Sequence, residues 1–226
     1  MSMRVAIVGA GTGVGKTHLG VALTRALALQ SAGAVAALKP IESGVTSESE
    51  TDAAQLAAAS TFHVKHPAPY TFAEPISPHL AARRSGVTIE LARITRWVEE
   101  AVCPWVIVET AGGLLSPLGS GLTNLDLTRA LAPQVVILVA LDRLGVLHEV
   151  AACMLVLRTL ASELRELAVV LQAPAEPDLS TGTNAEELKG LGTARHVFTL
   201  PRELATSARV AAAIAPLVAH LRSLPG

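Results

Sequence analysis

The chain has 226 residues, half of them hydrophobic, a formal charge of −1 at pH 7 and only 3% aromatics, a length suited to one α/β core, so a single domain over 1–226 is expected. Near-neutral charge and few rings argue against nucleic acid or an anionic membrane as partner. Cys103 and Cys153 lack metal-ligand spacing and read as reduced thiols, and no apolar run approaches the roughly 20 residues that span a bilayer, so a cytoplasmic place is expected.

Arg4 to Val8, continuous in apolar residues, predicts a parallel strand covered on both faces. It opens into GAGTGVGKT, Gly9 to Thr17, and then an amphipathic helix to about Gln30 with Ser31 to Gly33 as its stop. Glycines at 9, 11, 13 and 15 let the backbone turn its N–H groups inward, and the helix start near Lys16 adds its positive end. That hollow suits a phosphate. Lys16 can reach β- or γ-phosphate oxygens, and the Thr17 hydroxyl can ligate the magnesium that accompanies a nucleotide. The spacing, GxxxxxGKT, is one residue longer than the usual P-loop. A dinucleotide reading fails, because the third glycine of GxGxxG would fall at Val14 and the next strand ends in Lys39, not an acid.

The second strand, VAALKPI, ends in Lys39-Pro40, which places Lys39 at the ligand-binding edge of a parallel sheet. Glu42 to Thr51 reads as a polar loop and Asp52 as the N-cap of a short helix, AAQLAAAS, so capping alone would explain Asp52. Thr61 to Gly86, with four prolines and three histidines, reads as a long excursion over the sheet edge; His63 and His66 have HxxH spacing without a third ligand. TIELARITRWVEEAV predicts an amphipathic helix, followed by the strand WVIVE and a turn at Thr110 to Gly113. Glu109 closes that strand where P-loop proteins carry an acid that holds magnesium.

The helical NLDLTRAL, the strand VVILVA, a turn over Asp142 to Leu147 and the helix HEVAACMLVLRTLASEL follow. The remainder predicts a strand AVVLQA, a short helix NAEELKGLG, a strand HVFTLP and a final helix kinked at Pro216. Strand and helix alternate throughout, the signature of a single P-loop fold of the α/β class: a doubly wound, mostly parallel sheet with helices on both faces.

The lengthened loop, KPIESG at Lys39 to Gly44, Asp52-Ala53, FAEPISPHLAA at Phe72 to Ala82, ETAGGLLSPL at Glu109 to Leu118 and Leu144-Gly145 together resemble the dethiobiotin synthetase family nearly end to end. The resemblance implies an ATP- and Mg2+-dependent ligase that joins 7,8-diaminopelargonate and CO2 into dethiobiotin, with ADP and phosphate as coproducts. It implies catalytic roles for Lys16 and Lys39, with Thr12 and Ser43 near the carbamate and the diamine, and metal ligands in Thr17, Asp52 and Glu109. It further implies a nucleotide held by Gly13, Val14, Gly15, Lys16, Thr17 and His18, with Asp52, Glu109, Thr110, Ala111, Gly112, Gln172, Ala173, Pro201, Arg202 and Glu203 around it. The backbone of Leu144, Gly145, Val146 and Leu147 would grip the substrate carboxylate across a homodimer.

Several positions depart from that family. Ala10 and Gly11 stand where a threonine and an aspartate are common, which removes an acid near the metal. Thr110 stands where glycine is preferred and would be costly at φ > 0. His148-Glu149 replaces an asparagine-histidine pair, and Gln172 stands in place of the asparagine that reads adenine, so the base could be read with altered geometry or selectivity relaxed. A related ligase on another amine substrate is the alternative. A switch ATPase resembling ParA and MinD would carry a lysine where Gly11 stands, and a cobyrinate amide synthase would need an amidotransferase domain for which this length leaves no room.

Overall fold

The computed structural model describes residues 2–30, 33–47, 51–119, 121–164 and 166–225. The first half holds β1 (Met3–Gly9), α1 (Lys16–Gln30), β2 (Val35–Leu38), β3 (Ile41–Ser43), α2 (Asp52–Ala59), β4 (Tyr70–Phe72), α3 (Pro78–Arg84), α4 (Leu91–Glu99) and β5 (Trp105–Gly113). Then come β6 (Pro117–Gly119), β7 (Leu122–Thr123), α5 (Asn124–Leu131), β8 (Val135–Leu141), α6 (Val146–Leu160), β9 (Glu166–Gln172), α7 (Asn184–Gly190), β10 (His196–Leu200) and α8 (Ala208–Ser223).

Six strands form one parallel sheet in the order β10-β9-β8-β1-β5-β2. Alternation along each strand decides which layer a side chain joins. Val5, Ile7, Ile107, Ile137 and Val170 point to the face covered by Leu19, Leu23 and Leu27 of α1 and Leu217 and Leu221 of α8. Their neighbours Ala6, Val8, Leu138 and Val169 point the other way, against Val150 and Met154 of α6 and Leu188 of α7. Val106, Val108 and Leu38 face Ile94 and Trp97 of α4 and Leu127 of α5. Each fully buried Leu or Ile contributes about 2 kcal/mol, so a strand apolar on both faces is held from two sides. That is why these strands read as unbroken apolar runs.

The doubly wound parallel sheet expected from the alternation is present. Several local expectations are corrected. Thr61 to Gly86 is more than a loop excursion: β4 pairs in parallel with β3, Ile41 opposite Tyr70 and Ser43 opposite Phe72, and α3 follows. Proline content hid a strand whose Tyr70 and Phe72 pack inward. The strand at Trp105 does not stop at Glu109 but continues to Gly113, because Gly113 still pairs with Gly9 of β1. Helix α6 begins at Val146, two residues before the expected start. The expected stop after α1 falls partly on residues 31 and 32, outside the described residues; Gly33 is a bend.

Candidate active site

Parallel register brings the site together. Ile7 of β1 lies opposite Glu109 of β5, and Leu38 of β2 lies opposite Val108, so the next residue on β2's side, Lys39, arrives beside Glu109 at the carboxyl edge of the sheet. The loop after β1 emerges on the side of β5 away from β2. These segments, with α2 and the ends of β9 and β10, enclose a cavity of about 780 Å3.

The loop needs its glycines. Gly13 and Gly15 take φ of 71° and 94°, which a side chain resists. A Cβ on Gly9 would lie 2.5 Å from the Gly11 carbonyl oxygen and 3.0 Å from that of Gly112. The loop therefore curls back on itself, and the buried Lys16 Nζ donates to the Gly11 oxygen at 3.1 Å. Burial is the main force on the Lys16 ammonium, and with the like charge of Lys39 it draws the pKa down to about 8 against the pull of Glu109 and Asp52.

Lys39 is 6% exposed and stands between two carboxylates, with Nζ 2.8 Å from Glu109 Oε1 and bonded also to Asp52 Oδ2. Burial alone would lower its pKa; Glu109 and Asp52 outweigh that and hold it raised, so it is a firm cation. Glu109 is 1% exposed, and burial raises its pKa while Lys39 opposes. Thr17 Oγ1 donates to the same Glu109 Oε1 at 2.9 Å. The second oxygen, Glu109 Oε2, has no hydrogen-bond partner among the described residues.

Asp52 is not the N-cap of α2. Thr51 is, its Oγ1 accepting the Ala54 N–H at 2.9 Å. The N–H groups of Asp52 and Ala53 donate to Glu42 Oε1 and Oε2 at 2.7 and 3.1 Å. A buried carboxylate from β3 thus satisfies the helix start, which is favoured there by the helix dipole. The Asp52 side chain is left free to meet Lys39, and the expectation that capping alone explains Asp52 is overturned.

Of the residues singled out from sequence, Thr12 to His18, Lys39, Ser43, Asp52, Glu109, Ala111, Gly112, Gln172, Arg202 and Glu203 line the cavity. Ser43 Oγ is buried there without a hydrogen-bond partner among the described residues. Thr110, Ala173, Pro201 and Leu144 to Leu147 do not line it. Thr110 is buried in β5 and donates to the Ile7 carbonyl at 3.3 Å. The positive φ of this turn, 82°, falls on Gly112, so the strain anticipated at Thr110 does not arise. Ala173 N–H pairs with the Leu200 carbonyl at 2.9 Å. The Leu144 N–H is taken by Asp178 Oδ2 at 2.7 Å, while the Leu144 side chain is exposed at the start of α6.

Gln172 is buried, and its carboxamide is occupied: Oε1 meets His18 Nδ1 at 2.7 Å, and Nε2 donates to the Leu200 carbonyl at 3.2 Å. His18 Nε2 meets the Glu203 carbonyl at 2.7 Å. His66 pairs with Glu100 at 2.8 Å.

Sequence reasoning missed Glu42, Ser77 and Ser116 in the lining. Glu42 had a signal, an acid inside KPIESG immediately before Ser43. Ser116 had none. It comes close only because β5 ends in a tight turn, where its Oγ accepts the Gly113 N–H at 2.9 Å.

A family model described as an AAA domain matches residues 3–210. The ATP-dependent dethiobiotin synthetase of Methylobacterium nodulans is 37% identical over 186 residues, 76% of this chain and 81% of that protein. The same-named proteins of Rhodococcus erythropolis and Anaeromyxobacter dehalogenans are 36% and 34% identical, covering 80% and 87% of this chain and 81% and 89% of theirs. A ParA family ATPase from Chlorobium tepidum matches in fold with a TM-score of 0.57 at 13% identity, covering 99% of both chains. The MinD cell division protein of Aquifex aeolicus gives 0.55 at 13%, again covering 99% of both.

Proposed function

The chain belongs to the dethiobiotin synthetase family, and on that premise we propose that it closes a ureido ring on 7,8-diaminopelargonate with CO2 and ATP. At the coarser level it is an ATP-dependent ligase of biotin synthesis. The observation that carries the finer reading is the convergence of two buried lysines, Lys16 and Lys39, and two carboxylates, Asp52 and Glu109, in one cavity. A switch ATPase of the same fold is disfavoured by Gly11, where such proteins carry a lysine.

The donor set suits Mg2+. Oxygens of Asp52 and Glu109 already hold a cation, the Lys39 ammonium, the Thr17 hydroxyl bonds the same Glu109 Oε1, and the buried Glu109 Oε2 has no partner among the described residues. Thr17, Asp52 and Glu109 would hold the ion, which would supply positive charge to neutralise the phosphates as the γ-phosphoryl group transfers.

One substrate amine adds to CO2, loses a proton and becomes a carbamate. A carbamate oxygen then attacks the γ-phosphorus, the bond to the β-phosphate oxygen breaks, and ADP departs. The second amine attacks the carbonyl carbon of this mixed anhydride, the C–O bond to phosphate breaks, and the ring closes. Negative charge gathers between carbamate and γ-phosphate, where Lys16, Lys39 and the inward N–H groups of the loop are preorganised to meet it. Thr12 and Ser43 line the same cavity and would orient carbamate and diamine. The Leu144 to Leu147 segment, exposed at Leu144 and Gly145 and anchored by the buried Val146, lies outside the cavity, which is the arrangement expected if it serves the site of a second subunit in a homodimer.

The test is dethiobiotin formation, followed by mass spectrometry, by purified protein with Mg-ATP and bicarbonate, with and without the diamine. Diamine-dependent product and phosphate are expected. Nucleotide binding without diamine-dependent product would transfer the assignment to another amine substrate.

A further inference from the structure

A second group of ligating side chains lies at the opposite, amino edge of the sheet. Glu166 opens β9, His196 opens β10 beside it, and His220 comes from the last turn of α8. Register explains the meeting. His196 pairs with Ala168, so Glu166, two residues earlier in β9, shares its face of the sheet, and Ala168 packs in the layer beneath α8.

His220 Nε2 lies 3.0 Å from Glu166 Oε1, and His196 Nε2 lies 3.7 Å from the same oxygen. One oxygen thus faces two imidazole nitrogens, and only one is within hydrogen-bond distance. The rings stack with centroids 4.2 Å apart and planes 27° from parallel. All three side chains are partly buried, and one ligand atom from each lies within 4.8 Å of the others. Among the described residues this is the one group of three such side chains close enough to share an ion.

We propose that Glu166, His196 and His220 form a binding site for a divalent transition-metal ion of the zinc class, with water in the remaining coordination positions. Two imidazoles and a carboxylate match the preference of zinc and its neighbours and not that of magnesium or calcium, which take oxygen. Donors on a tetrahedral zinc stand about 3.3 Å apart, given metal–ligand bonds of about 2.0–2.1 Å, so modest side-chain rotation closes the present gaps. Imidazole binds metal only when neutral. Burial, the adjacent His220 and Arg195 all favour the neutral His196, with Glu166 opposing. The ion would tie the starts of β9 and β10 to the end of α8, far from the nucleotide cavity, so it would stabilise the fold without entering the reaction.

The experiment uses untagged protein stripped with chelator and held in excess Mg-ATP to occupy the other cavity. Zn2+ is titrated against a chromophoric indicator, and thermal unfolding is recorded. One equivalent per chain and a Tm rise of roughly 5 °C at a hundredfold excess over Kd are expected, with at least tenfold weaker binding in both His196→Gln and His220→Ala. X-ray absorption of the Zn2+-loaded unmodified chain should show two imidazoles in the shell, which keeps the test decisive if a variant misfolds. No binding by the unmodified chain, undiminished binding in both variants, or a shell without imidazole overturns the proposal and leaves a hydrogen-bonded Glu–His pair.

Discussion

Lys39 Nζ sits 2.8 Å from Glu109 Oε1, one residue beyond the paired end of β2 and β5 at Leu38 and Val108. The ammonium occupies the space bounded by the oxygens of Glu109 and Asp52 that would hold Mg2+. On the proposed metal site, cation and metal would share one seat, and Lys39 would yield part of it when Mg-nucleotide binds.

Lys39→Ala should lower turnover by at least ~100-fold while nucleotide binding persists, since in the proposed reading it is the loop that holds the phosphates. Without Mg2+ the variant leaves Glu109 buried and unpaired, which costs about 3 kcal/mol. Calorimetry in chelator and in excess Mg2+ checks this: the Tm deficit should shrink with Mg2+. An equal deficit in both would mean that lysine and metal do not share the seat.

Asp52→Asn and Glu109→Gln should both raise the Mg2+ concentration giving half-maximal activity. The Glu109 change should be larger, because that carboxylate is 1% exposed and Asp52 41%; a water-screened charge contributes less. A metal titration of each variant decides it, and identical Mg2+ dependence to the unmodified chain would remove both from the metal site.

The Lys16 pKa of about 8 lies below the ordinary lysine value of 10.5. Between those values the unfolded chain binds more protons, so the destabilisation from this buried charge is complete below pH 8 and is relieved as pH rises toward 10.5. Phosphate restores the ammonium, so ATP binding near pH 9 should take up protons. Titration calorimetry in buffers of different ionisation enthalpy should find an uptake that Lys16→Met abolishes; no uptake in the unmodified chain would place the titration elsewhere.

With the Gln172 carboxamide committed to His18 and the Leu200 carbonyl, it is not presented to a base. Discrimination among nucleoside triphosphates should be weak, with kcat/KM for ATP, GTP and CTP within roughly tenfold, about 1.4 kcal/mol. Steady-state kinetics with the three nucleotides tests this, and a thousandfold preference would show that Gln172 or another group reads the base.

Much of this site was legible in local pattern. Glycines before a lysine and a threonine at a helix start encode a phosphate hollow through φ and chain direction alone. Lys39 and Glu109 were legible because each ends an apolar run, which marks the carboxyl edge of a parallel strand. Asp52 was misread as a cap, since an acid before an alanine-rich run fits that pattern equally well. Thr51 takes the cap and Glu42, ten residues before Asp52, takes the next N–H groups, which releases it. Thr110 reads as strained because it stands where the resembling family prefers glycine, whereas Gly112 bears the positive φ.

The sequence by itself determined the alternation of strand and helix, the phosphate loop and the strand ends that carry Lys39 and Glu109, because propensity, apolar period and glycine geometry act over a few residues. The tertiary structure alone decided which charges meet. Strand order put β5 between β1 and β2, and register set Lys39 against Glu109 and His196 within reach of Glu166. Such pairings join segments tens of residues apart, where packing of whole layers, not local preference, sets the distance.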